Sequence, residues 1–314
     1  MKEAGPPTQR KTRRKLRLRA ARRLLQLTCR EWWRDTPFRL AASLAFYTTF
    51  SLAPVLLIAV GIGSVFLARQ TVIEQLIAQM QQLIGPEGAR AVQQVLAASQ
   101  GFGKGIQAIA IGAITFLLGA TAVFGELQSE LNLIWDVEAD PKRGLLAKLL
   151  LDRLRSFGLA LAVGFLLLVS LVISAALSGL EGYLNAAMPL ESWVWHAANL
   201  LTSFLVVALL FALIYKFLPD ARIAWKDVWI GAGVTSSLFT AGKYAIGVYL
   251  GRTAMTSAYG AAGSFAVLLL WVYYSALISF FGAEFTQVYA RCCGCELRPK
   301  AQARRVGRKA DAIG

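Results

Sequence analysis

Six apolar stretches of 20 to 28 residues run through this chain, and they constrain its fold more than any motif does. The hydrocarbon core of a bilayer is about 30 Å thick, and about 20 helical residues cross it. Backbone groups in lipid need partners within their own segment, so each stretch is predicted to be a helix. We therefore predict an all-α polytopic membrane protein with six transmembrane helices. The predicted spans are Leu40–Leu67, Ile106–Gly125, Phe157–Gly179, Ala197–Leu218, Val228–Leu250 and Ser264–Phe285.

The basic residues lie almost entirely on one side of these spans. Of the 33 Lys and Arg residues, 28 fall in the segments on one side and four on the other. The basic segments are residues 1–39, 126–156, 216–227 and 284–314. Cytoplasmic loops carry an excess of Lys and Arg, so both termini are predicted to be cytoplasmic. This sidedness accounts for most of the net charge of +15 and favours anionic lipid head groups over a specific nucleic-acid site as partner of the basic tails.

The chain divides into three predicted parts. Residues 1–39 form a basic cytoplasmic tail, in which residues 20–36 are predicted to be a helix lying on the inner surface of the membrane. Residues 40–290 form the six-helix membrane domain. Residues 291–314 form a second basic cytoplasmic tail. The oligomeric state is left open.

The outer segment between the first two spans is predicted to be an amphipathic helical hairpin. Its first half carries a helical apolar face, which Gly85-Pro86 is expected to interrupt, and a second, weaker face follows. The apolar positions are Val72, Ile73, Leu76, Ile77, Met80, Leu83, Ile84, Val92, Val95 and Leu96. The GxGxG at residues 101–105 follows no strand, so a hinge is favoured there over a nucleotide site.

The cysteines favour neither disulfides nor a metal site. All four fall on the predicted cytoplasmic side, where thiols stay reduced. They are Cys29, Cys292, Cys293 and Cys295. A closed zinc site needs four ligands, and the only histidine, His196, lies on the predicted opposite side. No metal or cofactor is expected, and a solvated tail is favoured.

Polar residues cluster in the inner half of the first span. Ser43, Tyr47 and Thr48 precede Pro54, which is expected to kink the helix. Hydroxyls in membranes commonly bond to their own helix backbone or to neighbouring helices. The alternative is that these side chains line a cavity.

Acidic residues mark the inner ends of two spans. Glu126 and Glu130 are four residues apart and share a helical face, and Glu284 ends the last span. Paired carboxylates can bind a cation or act as acid and base. Because no histidine accompanies them, solvated carboxylates beside the basic loops are favoured, and no catalytic residue is assigned. Pro219 is predicted to end the fourth span.

Lys243 is the single charged residue well inside a span. It lies about 15 residues beyond the inner end of the fifth span, or roughly 22 Å across, which places it in the outer half of the bilayer. A charge at this depth either snorkels to the interface or faces a cavity or partner. The functional hypothesis is that Lys243 is a cation for an anionic head group or substrate and that Ser43, Tyr47 and Thr48 line the same cavity. Gly260 and Gly263 at the outer mouth of the last span permit tight packing, a hinge or a re-entrant turn.

Six segments, in order across about 250 residues, resemble the YihY/BrkB family of membrane proteins, formerly labelled ribonuclease BN. They are SLAFYTTFSLAP (Ser43–Pro54), ELQSELNLIWDV (Glu126–Val137), YKFLPD with the following Trp (Tyr215–Trp225), GAG (Gly231–Gly233), AYGAAGS (Ala258–Ser264) and LLWVYYSALISFFGAEF (Leu269–Phe285). The resemblance implies a six-helix protein of the bacterial inner membrane. Other members are linked to serum resistance and to movement of envelope lipids.

These observations lead to one functional hypothesis and two alternatives. We expect a non-enzymatic protein that transports or exports an anionic, lipid-like amphiphile. The first alternative is a non-transporting envelope scaffold that docks partners through its basic tails. The nuclease label is the least favoured, because metal-assisted phosphodiester hydrolysis usually needs clustered carboxylates and histidines.

Overall fold

A computed structural model describes seven segments of the chain, most of them helical. They are residues 22–66, 68–99, 123–139, 192–252, 255–292, 298–300 and 303–305. The predicted third span, Phe157–Gly179, and nearly all of the second, Ile106–Gly125, lie outside these segments. The mostly helical character agrees with the predicted fold class, while the count of six spans stays a prediction.

The helices are long and follow the apolar stretches. In chain order they are α1 (residues 22–34), α2 (Pro37–Phe66), α3 (Arg69–Ser99), α4 (residues 123–134), α5 (Ser192–Phe217), α6 (Trp225–Arg252) and α7 (Met255–Cys292). Pro37 occupies the first position of α2, where its missing N–H costs nothing. The helix α5 ends at Phe217, as predicted, because Pro219 disfavours helical geometry in the residue before it.

Helix α7 is the central element of the bundle. It packs against α2, α3 and α6, while α5 packs against α6 and α2 against α3. One buried cluster joins the N-terminal ends of α2 and α6, helix α4, and the C-terminal halves of α5 and α7. A second cluster joins α2, α3 and α7. Because α7 is helical through Gly260 and Gly263, this segment is not a re-entrant turn; a hinge role for the two glycines stays a prediction.

The predicted outer hairpin is wrong in one respect: α3 is a single helix that continues through Pro86. A proline inside a helix removes one backbone hydrogen bond and crowds the preceding turn. Here the apolar residues before and after the proline pack into the same cluster against α2 and α7, and this shared burial outweighs the local cost. The packed residues of α3 are Val72, Ile73, Leu76, Met80, Ala91, Val92, Val95 and Leu96.

Two helical segments of the described part are long and apolar enough to cross a bilayer. They are Leu200–Phe217 in α5 and Phe265–Cys292 in α7. Only 33% of the first and 39% of the second is buried inside the structure. The other residues of both segments are partly buried or exposed.

Helices α6 and α7 approach closely because glycine and threonine alternate across their contact. A Cβ atom on Gly231 of α6 would lie 1.7 Å from Thr286 Oγ1 of α7. In the opposite sense, a Cβ atom on Gly282 of α7 would lie 1.8 Å from Thr235 Oγ1 of α6. Small residues at a helix contact let the backbones approach. Gly247, part of the only GxxxG in α6, has no atom within 4 Å of its Cβ position.

The hydroxyl of Tyr215 ties a third helix to this contact. It donates to the Ser279 carbonyl of α7 at 2.7 Å and lies 3.0 Å from Thr235 Oγ1 of α6. The side chain of Tyr215 is fully buried in α5. The polar end of Tyr215 is thus satisfied where α5, α6 and α7 meet.

The Gly282→Ala substitution tests this packing. The added methyl group would collide with Thr235 and with the Tyr215 hydroxyl, 2.5 Å away. We expect a loss of about 1–3 kcal/mol of stability, the usual cost of overpacking, seen as a lower Tm of the purified protein. Gly247→Ala is the matched control and should leave Tm unchanged or higher. Equal Tm values for the two variants would contradict the packing described.

Candidate functional site

Lys243 lies in a crevice between α5 and α6. The side chain is partly buried, and its Nζ lies 5.5 Å from the centre of the Tyr244 ring. The other lining residues are Leu200, Ser203, Phe204, Val207, Phe239 and Thr240. The crevice has apolar walls and three polar groups, and its volume of about 10 Å³ is at the lower limit for one water molecule.

The other predicted binding residues do not line this crevice. Ser43 donates a short hydrogen bond to Glu126 Oε1 and so links α2 to α4. Tyr47 is 42% exposed and contacts Phe46 edge to face. The carbonyl of Thr48 accepts a hydrogen bond from Ser51. Ser43 thus bonds to a neighbouring helix and Ser51 to its own, the two arrangements expected for hydroxyls in membranes.

The Glu126 and Glu130 pair lies beside a basic residue of α2 and is partly withdrawn from water. Burial and the neighbouring Glu126 carboxylate raise the pKa of Glu130 from 4.5 to about 7, against the opposing effect of Arg39. The sequence favoured solvated carboxylates for this pair. In the structure, Glu130 is only partly exposed to solvent. Glu130 can exchange a proton near neutral pH.

The third predicted acidic residue, Glu284, is fully buried in α7. One turn further along α7, the Gln287 side chain donates to the Ile134 carbonyl and reaches Asp136 Oδ2 at 3.4 Å. Arg291, the next residue on this face, forms a short ion pair with Asp136. Since Asp136 is nearly inaccessible to water, loss of Arg291 would leave the Asp136 carboxylate as a buried charge without its cation.

Asp220 is the residue that sequence reasoning missed. Its Oδ2 accepts hydrogen bonds from Gln128 Nε2 and Asn132 Nδ2, both at 3.1 Å, and its N–H donates to Asn132 Oδ1 at 2.8 Å. Pro219 thus does more than end α5, because it positions Asp220 against α4. The signal was present: Gln128 and Asn132 are four residues apart and share one helical face.

A short segment near the C-terminus, here called the strap (residues 298–300 and 303–305), pairs with the segments that follow α4 and α5. Strand β1 (Val137–Ala139) pairs with β4 (Ala303–Arg305), and β2 (Ala221–Arg222) pairs with β3 (Arg298–Pro299), both antiparallel. Nothing in the sequence pointed to this pairing.

The charged side chains of the strap add to the strand pairing. Lys300 Nζ donates to the carbonyls of Phe217 at 3.1 Å and Pro219 at 2.6 Å, so it caps the C-terminal end of α5. Arg304 pairs with Glu138 at 3.0 Å, but both side chains are exposed, which makes this pair weak. The strap therefore joins the ends of α4 and α5.

Among the described residues, no group of three or more His, Cys, Asp or Glu side chains is placed to hold a metal ion. Cys29 and Cys292 are free thiols on the surface. Cys293 and Cys295 lie outside the described segments.

The chain is similar to one protein family over most of its length. The model of a family described as "Virulence factor BrkB" matches residues 28–307. Among the relatives, a UPF0761 membrane protein of Alkalilimnicola ehrlichii is 27% identical over 82% of this chain and 56% of its own length. One of Albidiferax ferrireducens is 30% identical over 77% of this chain and 56% of its own length. One of Alteromonas mediterranea is 27% identical over 78% of this chain and 80% of its own length.

The chain thus spans little more than half the length of several relatives that it matches. No solved structure matches it.

The raised pKa of Glu130 predicts how stability depends on pH. The folded protein holds this proton more tightly than the unfolded chain does, so the contribution is fully present below pH 4.5 and is lost as pH rises through about 7. We expect the Tm of the wild type to fall more steeply between pH 5 and pH 8 than that of Glu130→Gln. The exposed Glu138→Gln is the control, and it should keep the wild-type slope. An unchanged slope in Glu130→Gln would contradict the assignment.

The register of β1 and β4 predicts a specific cross-link. Glu138 and Arg304 lie directly opposite each other, and opposed residues of antiparallel strands have Cα separations within the disulfide range. With the four native cysteines replaced by serine, Glu138→Cys with Arg304→Cys should form a disulfide under mild oxidation, seen as a mobility shift on non-reducing gels. Glu138→Cys with Arg305→Cys should react more slowly, since residue 305 projects to the other face. Equal rates would contradict the register.

Proposed function

Because this chain belongs to the BrkB family of membrane proteins, we propose that it moves an anionic, lipid-like amphiphile between the leaflets of the bacterial inner membrane. The proposal includes six transmembrane helices and cytoplasmic termini, as the distribution of Lys and Arg indicates. Lys243 is the binding cation. The matched relatives are membrane proteins by name, and none of those names specifies a cargo.

The observation that carries this proposal is the position of Lys243 in the crevice between two apolar helices. A charged residue at the centre of a span costs about 2.5–3.5 kcal/mol on insertion scales, so it usually faces a partner or a cavity. Tyr244 and Val248 mark the outward face of α6, with more than half of each side chain exposed. Lys243 instead lies in the crevice with Ser203 and Thr240. Such a site offers a cation to the head group and apolar helix surface to the chains.

The basic inner surface supplies a second contact with lipid in this proposal. Helix α1 exposes Arg22, Arg23 and Arg34 together with Trp33. Its other face is anchored to the bundle by Trp32, whose ring lies 5.9 Å from that of Phe281 in α7. An anchored helix with exposed arginines and tryptophan suits the head-group region of an anionic inner leaflet. We propose that α1 holds anionic lipid close to the inner ends of the helices.

The scaffold alternative predicts a different outcome for the tails. Deletion of residues 1–19 and 306–314 removes basic residues while it preserves α1, Lys300 and Arg304. A transporter should keep its flux after this deletion. A scaffold should instead lose its cellular phenotype, and the full-length protein should show no flux.

Reconstituted vesicles test the role of Lys243. We expect Lys243→Met to slow the movement of a fluorescent anionic lipid between leaflets by about tenfold, because loss of one charge-assisted hydrogen bond removes about 1.5–3 kcal/mol of binding. Lys243→Arg should retain most of the rate. The matched control is Lys226→Met, which removes an exposed lysine from the first turn of the same helix.

Two results would contradict the proposal. Lipid movement in protein vesicles equal to that in empty vesicles would rule out transport of this lipid class. Equal rates for the wild type and a folded Lys243→Met protein would remove Lys243 from the mechanism.

A further inference from the structure

The polar groups of the Lys243 crevice come from two helix faces that oppose each other. On α5, Ser203 lies among Leu200, Phe204 and Val207, at spacings of three, four and seven residues from Leu200. On α6, Thr240 and Lys243 are three residues apart and share one face. Two hydroxyls and one ammonium group therefore line the same small space.

These two hydroxyls differ from most others in the long helices. Hydroxyls in a membrane helix usually donate to a carbonyl one turn earlier, which satisfies them without a ligand. The hydroxyls of Ser203 and Thr240 make no hydrogen bond to a described residue. By contrast, back-bonded hydroxyls are present at Thr49, Ser51, Thr202, Thr235, Ser237, Ser275, Ser279 and Thr286. Ser203 and Thr240 are thus available to donate to a bound molecule.

A third hydroxyl extends this polar stripe along α6. Ser236 lies one turn before Thr240 on the same face of the helix. Its side chain is fully buried, and its Oγ has no hydrogen-bond partner in the described part of the chain. A buried hydroxyl without a partner is costly in an apolar setting, and the polar positions on this face of α6 therefore extend beyond the crevice.

We infer that Ser203, Thr240 and Lys243 bind the phosphate group of the transported amphiphile, an inference that rests on the proposed function. Each of the three groups can donate a hydrogen bond, and Lys243 adds a positive charge. Phosphate offers several acceptor oxygens to such a set, whereas a carboxylate offers two. The crevice is narrow, so most of the head group remains at its mouth.

The surroundings favour a phospholipid over free phosphate. Four of the seven lining residues are apolar, and they offer nothing to a fully hydrated ion. Outside the crevice, both helices also expose apolar residues that can contact acyl chains. The exposed residues there are Leu201 and Leu205 of α5 and Leu238, Tyr244 and Val248 of α6.

Equilibrium binding tests this inference without any transport step. The full-length protein in a neutral detergent would be titrated with dioctanoyl phosphatidic acid, decanoate, inorganic phosphate and dioctanoylglycerol, with binding followed by thermophoresis. The test variant is Ser203→Ala with Thr240→Val. The chain offers a matched control, Ser237→Ala with Thr202→Val, which removes one serine and one threonine hydroxyl from the same two helices. The control hydroxyls are already bonded to Gly233 and Ala198.

We expect phosphatidic acid to bind the wild type most tightly and the test variant at least about tenfold more weakly, since two hydrogen bonds to a charged group are lost. The control variant should bind within about twofold of the wild type. Because the hydroxyls of Ser203 and Thr240 make no hydrogen bond to the described residues, the Tm of the test variant without ligand should stay unchanged. Ser203→Ala alone is the second variant if the double substitution lowers Tm, and it should still weaken binding several-fold.

Three results would overturn the inference. The first is equal affinity of the test variant and the wild type for phosphatidic acid. The second is that decanoate binds as tightly as phosphatidic acid, and the third is that inorganic phosphate does. The experiments can reject the phosphate site and the transport proposal independently. Specific binding without flux would reject transport and leave this site intact, whereas flux with unaltered binding in the test variant would reject the site.

Discussion

The close approach of α6 and α7 is the contact on which the rest of the structure depends. Gly231 and Gly282 each leave room for a threonine of the other helix, and each threonine returns its hydroxyl to the glycine carbonyl four residues earlier. Such packing drives association in lipid, where apolar surface alone gives no preference for another helix. With α6 held against α7, the hydroxyl of Tyr215 can bind α5 to both, and the crevice between α5 and α6 takes its shape.

Polar contacts, rather than close backbone packing, hold the end of the bundle at which α4, α5 and α7 terminate. Asp220 binds the amides of α4, and Asp136 binds Gln287 and Arg291 of α7. The end of α4 and the turn after α5 both lie in segments that resemble the family, and hydrogen bonds therefore join these two segments. The strap adds Lys300 at the end of α5. The dense polar network thus lies at one end of the bundle, and the crevice of Lys243 lies away from it.

Much of this could be predicted from the sequence, because apolar length and basic residues act locally. The bounds of α2, α5 and α6 fall within a few residues of the predicted spans, and the end of α5 before Pro219 follows from proline geometry. The outer hairpin failed for a tertiary reason: Pro86 weakens α3 locally, yet burial on both sides of it keeps the helix intact. The partial burial of Glu130 could not be predicted, because the sequence does not show which helices lie beside α4.

By itself, the sequence determined that this chain is a helical membrane protein, which side its basic residues favour and which family it resembles. These properties depend on composition and on spacing along one chain, and the bilayer imposes them on each helix separately. Only the tertiary structure decided which polar groups meet. It placed Ser43 beside Glu126, Asp220 against α4, and Ser203 and Thr240 beside Lys243. Such contacts depend on how helices distant in sequence pack and rotate against one another, which the spacing along one chain does not show.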